Sequence, residues 1–421
     1  MIEPQFPADR SGALGRLEDF LLRARHYAAV RNQVAPGHAG VSRLSPAIRT
    51  GLISEQEVVR AVLARHPLAA VEKFIQEVFW RTYWKGWLHL RPQVWTAYLE
   101  RRDWWRKHAP EAVRHRAAAV AGGQSGVAIM DRFARELVET GYLHNHARLW
   151  WASFWIHVER LPWELGADFF LRHLLDADPA SNTLSWRWVA GLQTPGKFYL
   201  VRRSNLERYC APELLSDTTG LDRLDDGRVV AAEIPEIADR SIGRSAFDDD
   251  TASPPNAPYG LWVHEEDCNP DLGGAMDPPP SRLIAAGPDA PESPAECPAP
   301  QQRLLTHALA DAGRRLCAQF MLPLDAPESG SIRSRRDRLR DFARRHGLRT
   351  LAAMAPSVGP LADALPALRS ALARDGVSLL LFRRPWDSRH WPQAHRGYFS
   401  FWASARSRLA EGQSSPELAG S

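Results

Sequence analysis

The chain has 421 residues, with 53 Lys+Arg against 49 Asp+Glu and 44% hydrophobic residues, enough for two domains and a sizeable buried core. No apolar run reaches the ~18 residues a membrane span needs, and the opening MIEPQFPADRSG has acids and prolines where a secretory signal needs an apolar segment. Cys210, Cys268, Cys297 and Cys317 lack CxxC spacing, so neither a zinc site nor a disulfide framework is indicated and a reducing cytoplasm is expected. Residues 1–210 hold 29 Lys+Arg against 20 Asp+Glu and residues 211–421 hold 24 against 29, which makes the first half +9 and the second −5. A basic half is attracted to phosphate backbones, although coding bias toward Arg accounts for the same numbers.

Residues 1–209 read as mostly helical. Phe20 to Tyr27 begin an amphipathic segment that Pro36 and Gly37 end. In VSRLSP, Pro46 suits the first turn of a helix with Ser45 as its cap; Ser54 then caps a second helix, with Glu57 completing a capping box. Helix starts of this kind can hold phosphates. The segment VEKFIQEVFWRTYWKGWLHL has helical periodicity, with Phe74, Glu77 and Arg81 on one face and Trp80 beside them. A Glu four residues before an Arg is ordinarily a surface pair worth a few tenths of a kcal/mol; the aromatics on the same face favour a site wall.

The stretch Thr140–Tyr199 mixes tryptophans with polar groups at helical offsets. Asn145 and Arg148 share a face, as do His144 and Arg148. Asp176 and Asp178 close an apolar run just before Pro179, where a helix should stop. Polar groups converging on an aromatic pocket suit a large planar cofactor carrying phosphates and sugars.

Residues 211–300 are acidic and Pro-rich and read as a long linker, with Tyr259–His264 as one short strand. From residue 301 the pattern alternates: helices at 304–320, 334–346 and 361–374, and strands at 350–355 and 377–382. Pro366 is tolerable only near a helix start or at a kink. This order predicts a small, mostly parallel α/β layer, and no GxGxxG or GxxxxGK[ST] marks it as a nucleotide binder. The tail RRPWDSRHWPQAHRGYFSFWASARSRL is expected to dock onto the first domain, with a nucleic-acid contact as the other option.

These residues carry a resemblance. Tyr27 with Arg31, VSRLSP (41–46), FIQEVFWR (74–81), TGYLHNHAR (140–148) and DADPASNTLSW (176–186) resemble, in order and spacing, motifs of the FAD-binding helical domain of the DNA photolyase/cryptochrome family. The resemblance covers residues 17–199. It implies a helical FAD-binding domain over 1–210; with the acidic linker over 211–300 and the small α/β segment over 301–421 read from composition and alternation, the fold class expected is mainly α. Only about sixteen residues precede the resemblance, so the chain is expected to lack the N-terminal antenna domain, with the C-terminal segment as a permuted or replaced counterpart.

The resemblance also implies roles. FAD would be held in a folded form by Tyr27, Ser42, Ser45, Phe74, Arg81, Asn145, Arg148, Asp176, Asp178 and Asn182, with Asn182 at the flavin N5. Trp186 and Trp163 match the first two members of the family's electron relay, and the outer member falls to Trp104 or Trp105. Glu77 and Trp80 match the pair that contacts a cyclobutane pyrimidine dimer in DNA. Leu149 stands where the 6-4 class has a histidine, so cyclobutane dimers are favoured. The expected activity is light-driven repair of such dimers by a photo-lyase (a carbon–carbon lyase) that binds damaged DNA; the alternative is a cryptochrome-like blue-light photoreceptor with a protein partner bound through residues 211–421. Phe74 stands for a common Trp and Val41 for a common Thr. No four-cysteine pattern supports an iron–sulfur branch, no metal is expected, and the antenna chromophore is left open.

Overall fold

A computed structural model describes residues 6–194, 196–230, 242, 258–270, 278–289, 298–323 and 334–414. Cys297 and much of the expected linker lie outside the described residues.

Helices build the first 209 residues. Ser54 caps Glu55–Arg65 by accepting from the Glu57 N–H at 3.2 Å, while the Glu57 carboxylate accepts from the Ser54 N–H at 2.8 Å; the capping box is formed. Leu68–His89 follows, a 22-residue helix whose buried Val71, Phe74, Ile75, Val78, Phe79, Thr82 and Tyr83 recur at the spacing of one wide helical face. That helix is the spine of the molecule. Against it pack Glu55–Arg65, Pro179–Val189 and, from the far end of the chain, Pro385–His390 and Tyr398–Ser414. Gly86 is needed there, because a Cβ would stand 2.9 Å from the Trp391 Cα. A second group of helices, among them Pro92–His108, Ala128–Thr140, Asn145–Ser153 and Trp163–His173, encloses a core rich in tryptophan, including Trp150, Trp151, Trp155 and Trp186.

Among the described residues the later part of the chain forms a four-stranded parallel sheet of β1 (Gly260–Val263), β2 (Arg282–Ala285), β3 (Thr350–Met354) and β4 (Ser378–Phe382), in the order β2-β1-β3-β4, with the helices Ala299–Gln319, Arg335–Arg345 and Pro360–Arg374. Leu261 pairs with Leu283 on one side and Ala352 on the other, and β3 runs in register with β4 from Thr350–Ser378 to Met354–Phe382. The parallel layer expected from the β-α-β alternation is therefore present. The expected linker, however, supplies two strands rather than one, and both belong to the sheet. Arg282–Ala285 is only four residues long and stands among prolines, too short for periodicity to separate a buried strand from a loop. The sheet thus crosses the boundary expected at residue 300. Pro366 lies inside the helix Pro360–Arg374, past its first turn.

The C-terminal elements share a core with the N-terminal helices: Leu17, Phe20, Val59 and Phe79 cluster with Leu261, Leu316, Phe401 and Trp402. Docking of the tail onto the first domain, the expectation from its aromatics, is what the structure has. Polar bonds fix the same interface, with Trp386 Nε1 donating to Thr82 Oγ1 at 3.1 Å, Tyr83 Oη to the Arg396 carbonyl at 2.9 Å and Trp95 Nε1 to Asp363 Oδ2 at 2.8 Å. Among the described residues no helix is long and apolar enough to cross a membrane.

Candidate functional site

The sequence Asp176-Ala-Asp178-Pro179 is where two arginines from different helices meet. Asp178 caps Pro179–Val189, its Oδ1 accepting from the Ser181 N–H at 2.7 Å, with Pro179 in the first turn where it loses no bond. Its other oxygen lies 2.8 Å from Arg81 Nη2, and Arg81 Nε donates to Glu55 Oε1 at 3.1 Å. Arg148 donates through Nη2 to Asp176 Oδ2 at 2.9 Å and through Nε to the Leu143 carbonyl at 2.8 Å. Arg81, Arg148, Asp176 and Asp178 therefore form one cluster, joined by Glu55. Burial works against ionisation of Asp178, but Arg81 and Arg49 hold its carboxyl below the usual range; Glu55 is likewise lowered, against burial, by Lys85 and Arg81.

A second group lies on the spine helix. Tyr27 meets Phe74 edge-on at 5.2 Å, and Phe74 packs on Phe20 at 4.4 Å. Glu77 does not pair with Arg81 along the helix, as its spacing allowed. It pairs with Arg31 at 2.6 Å, and the Arg31 guanidinium lies 5.7 Å from the Tyr27 ring. Burial pushes the Glu77 carboxyl above the ordinary carboxylate range despite the opposing pull of Arg31. Trp80 is stacked flat by Tyr398, with ring centroids 3.4 Å apart and planes 9° from parallel.

Ser42 lies in the turn before Ser45–Arg49, and Ser45 is the first residue of that helix. Ser42 Oγ accepts from the Leu44 N–H at a long 3.4 Å. Ser45 does not cap: Leu44 takes that place with a near-helical backbone (φ −87°, ψ −12°), and the helix begins on Ser45 itself. Asn145 opens Asn145–Ser153 and is exposed, the capping acceptor being His144 Nδ1, which takes the His146 N–H at 3.1 Å. Asn182 is buried and donates through Nδ2 to the Ala167 carbonyl at 2.8 Å.

The tryptophans divide by contact. Trp186 is fully buried, 5.1 Å from Phe170 and 6.3 Å from Trp151, which itself stacks on Trp155 at 5.2 Å. Trp163 heads the helix that also carries Gly166, on which the Trp186 ring rests, and it sits 5.5 Å from Tyr98. Trp104 and Trp105 meet edge-on at 4.9 Å, with Trp104 44% exposed. A Cβ on Gly166 would fall 2.6 Å from Trp186 Cζ3 and closer still to Cη2. Gly166→Ala gains about 1 kcal/mol of helix propensity but overpacks a closed core at about 1–3 kcal/mol. The net expectation is a lowered urea midpoint together with a shifted tryptophan emission spectrum.

Between the spine helix and the sheet is a small polar pocket, at the carboxyl ends of β1, β3 and β4, with Glu55, Arg81 and Lys85 facing Asp267, Ser357 and Asp387. Lys85 Nζ lies 3.6 Å from both Glu55 and Asp387. Glu55, Lys85, Asp387 and Tyr398 were not singled out from the sequence. Only Tyr398 carried a signal, in the aromatic and basic composition of its tail.

Residues 74–238 match the family model described as the FAD binding domain of DNA photolyase. The chain is 36% identical over 154 residues to a deoxyribodipyrimidine photo-lyase of Streptomyces griseus, covering 36% of this chain and 32% of that protein. It is 27% identical over 243 residues to the enzyme of the same name from Salmonella typhimurium, covering 56% and 48%. A crystal structure of a bacterial class III photolyase from Agrobacterium tumefaciens superimposes with a TM-score of 0.41 at 28% identity, covering 48% of this chain and 42% of that one. The chain thus spans a third to a half of the length of these curated relatives.

The residues present fit FAD. Two buried polar atoms near Arg148 have no protein hydrogen-bond partner: Asp176 Oδ1 and His144 Nε2. Because His144 Nδ1 accepts, the neutral ring carries its proton on Nε2, and burial lowers its pKa to about 3. One acceptor and one donor left open beside the Arg148 guanidinium, with Arg81 on the neighbouring Asp178, suit a ligand rich in oxygens and ring nitrogens, since buried polar groups are seldom left unpaired.

Proposed function

Because the chain belongs to the DNA photolyase/cryptochrome family through its helical FAD-binding domain, we propose that it splits cyclobutane pyrimidine dimers in DNA under light. FAD, when bound, supplies the light-absorbing electron donor for that chemistry. This chain's residues would hold and insulate it. Arg81, Arg148, Ser42 and Ser45 offer donors to a diphosphate; Asp176 and Asp178 offer acceptors to sugar hydroxyls and ring N–H groups; Asn145 and Asn182 add amides, and Tyr27 and Phe74 an aromatic wall. Trp186 and Trp163 are the inner steps of a path for electrons toward the protein surface, with Trp104 or Trp105 as its outer end.

The observation that carries the repair reading is the placement of Glu77 and Trp80 three residues apart on the spine helix, beside Arg81. Trp80 offers an indole platform for an extruded base, which damage makes cheaper to extrude. A Glu77 carboxyl biased toward its protonated form can donate a hydrogen bond to a pyrimidine carbonyl as negative charge builds there. The test is direct: reduced protein is illuminated with a dimer-containing oligonucleotide, and restored thymines are counted. Flavin-bearing protein that restores none sinks the reading.

The Tyr398 ring lying on Trp80 favours a second reading, a blue-light receptor of the cryptochrome kind without repair. In that case illumination changes the protease sensitivity of the C-terminal half without any turnover of dimers.

A further inference from the structure

Tyr398 lies outside the matched domain, more than three hundred residues from Trp80, yet it is built into the same site. Its ring covers a face of Trp80 at 3.4 Å and 9°, its hydroxyl donates to the Gln76 carbonyl at 2.7 Å, and it is 5% exposed. The other rings on Trp80, Tyr83 and Trp84, meet it at 83° and 37°; among these neighbours Tyr398 alone lies in the geometry of a stacked base. The helix Tyr398–Ser414 is tied down beside it, with Trp402 Nε1 and Arg406 Nε both donating to Glu72 Oε1, at 3.3 and 3.0 Å. We propose that Tyr398 occupies the base seat on Trp80, so that the last helix competes with nucleic acid for that platform. The inference rests on the reading of Trp80 as a base platform.

A ring at stacking distance leaves no room for a second one on the same face, so a base can use it only when Tyr398 has left. Affinity for every ligand that uses the platform is then reduced by the fraction of molecules in which the seat is open. Duplex held through its phosphates alone, with no base extruded, is not affected. Tyr398 therefore separates two modes of nucleic-acid binding, and its removal strengthens only one of them.

The test is dark binding, by fluorescence anisotropy, of three probes to the full chain: a single strand containing one thymine dimer, the same strand undamaged, and the undamaged duplex. Tyr398→Leu keeps apolar volume in the helix and removes the stacked ring; Tyr398→Phe keeps the ring and loses only the hydroxyl bond. Loss of the stack and that bond together should tighten both single strands by roughly tenfold in the Leu variant. The duplex should be unchanged, and the Phe variant should move by a few-fold at most. Equal flavin content and far-UV circular dichroism show that each variant is folded. If Tyr398→Leu binds all three probes as the parent does while Trp80→Ala loses the dimer strand, Tyr398 is no competitor and the platform stands. If Trp80→Ala binds the dimer strand as the parent does, the platform is absent, and both readings fall together.

Discussion

Replacing Arg81 by Met should leave little folded protein, and what folds should unfold at a much lower urea concentration. Arg81 is held between Asp178 and Glu55, whose side chains are 2% and 7% exposed, and removing it takes a contacting cation from both, leaving Asp178 only the pull of Arg49 and Lys85. Lys85, 3.6 Å from Glu55, remains for one of them but is shared with Asp387. Breaking a buried pair by deleting one partner costs about 3–5 kcal/mol, because the other charge stays buried without compensation. That is a large part of the roughly 5–15 kcal/mol that stabilises a typical domain. The loss should appear in apo protein as well as with flavin, which separates it from an effect on cofactor binding. Arg81→Met combined with Asp178→Asn should recover part of the midpoint, since one stranded charge is gone, whereas independent sites would simply add. A single variant as stable as the parent would mean that Glu55 and Asp178 do not depend on Arg81.

Much of this site was legible because its residues are locally ordered. Ser54 with Glu57, and the 3.6-residue recurrence through Phe74, Val78 and Phe79, each declare a helix start or a buried face within a few residues, whereas Asp178 with Pro179 was read as the end of a helix and is the start of one. Partners far apart in sequence were less visible. The offset Glu77–Arg81 allowed a pair along the helix, but Arg31 takes Glu77 while Asp178 and Glu55 take Arg81. Helical spacing tells which residues share a face and says nothing of what the fold brings to it. The same limit hid β2, which is strand only because β1 lies beside it, and it hid Tyr398, whose position depends on the docking of the last helix. Burial of the tail was suggested by its aromatics; its arrival on Trp80 was not.

Glu77 provides the sharper test of chemistry, and its two obvious variants should differ. Glu77→Ala removes any hydrogen-bond donor, so dimer splitting per bound flavin should fall by roughly two orders of magnitude, the usual cost of losing one donor aimed at developing charge. Glu77→Gln keeps a donor in the amide and should retain most of the rate. A carboxyl can donate only while protonated, and burial raises the pKa of Glu77 above its ordinary value. Repair by the parent should therefore rise as pH is lowered toward that raised pKa and decline as pH climbs past it. The Gln variant, which has no proton to lose there, should show no such limb. Both variants release Arg31 from an ion pair whose side chains are 26% and 29% exposed, so flavin content should change little while the melting temperature falls modestly. If Glu77→Gln were as inactive as Glu77→Ala, or the parent's pH limb persisted in the Gln variant, the donating carboxyl would be the wrong assignment. If either variant lost FAD, Glu77 would be part of the cofactor's support instead.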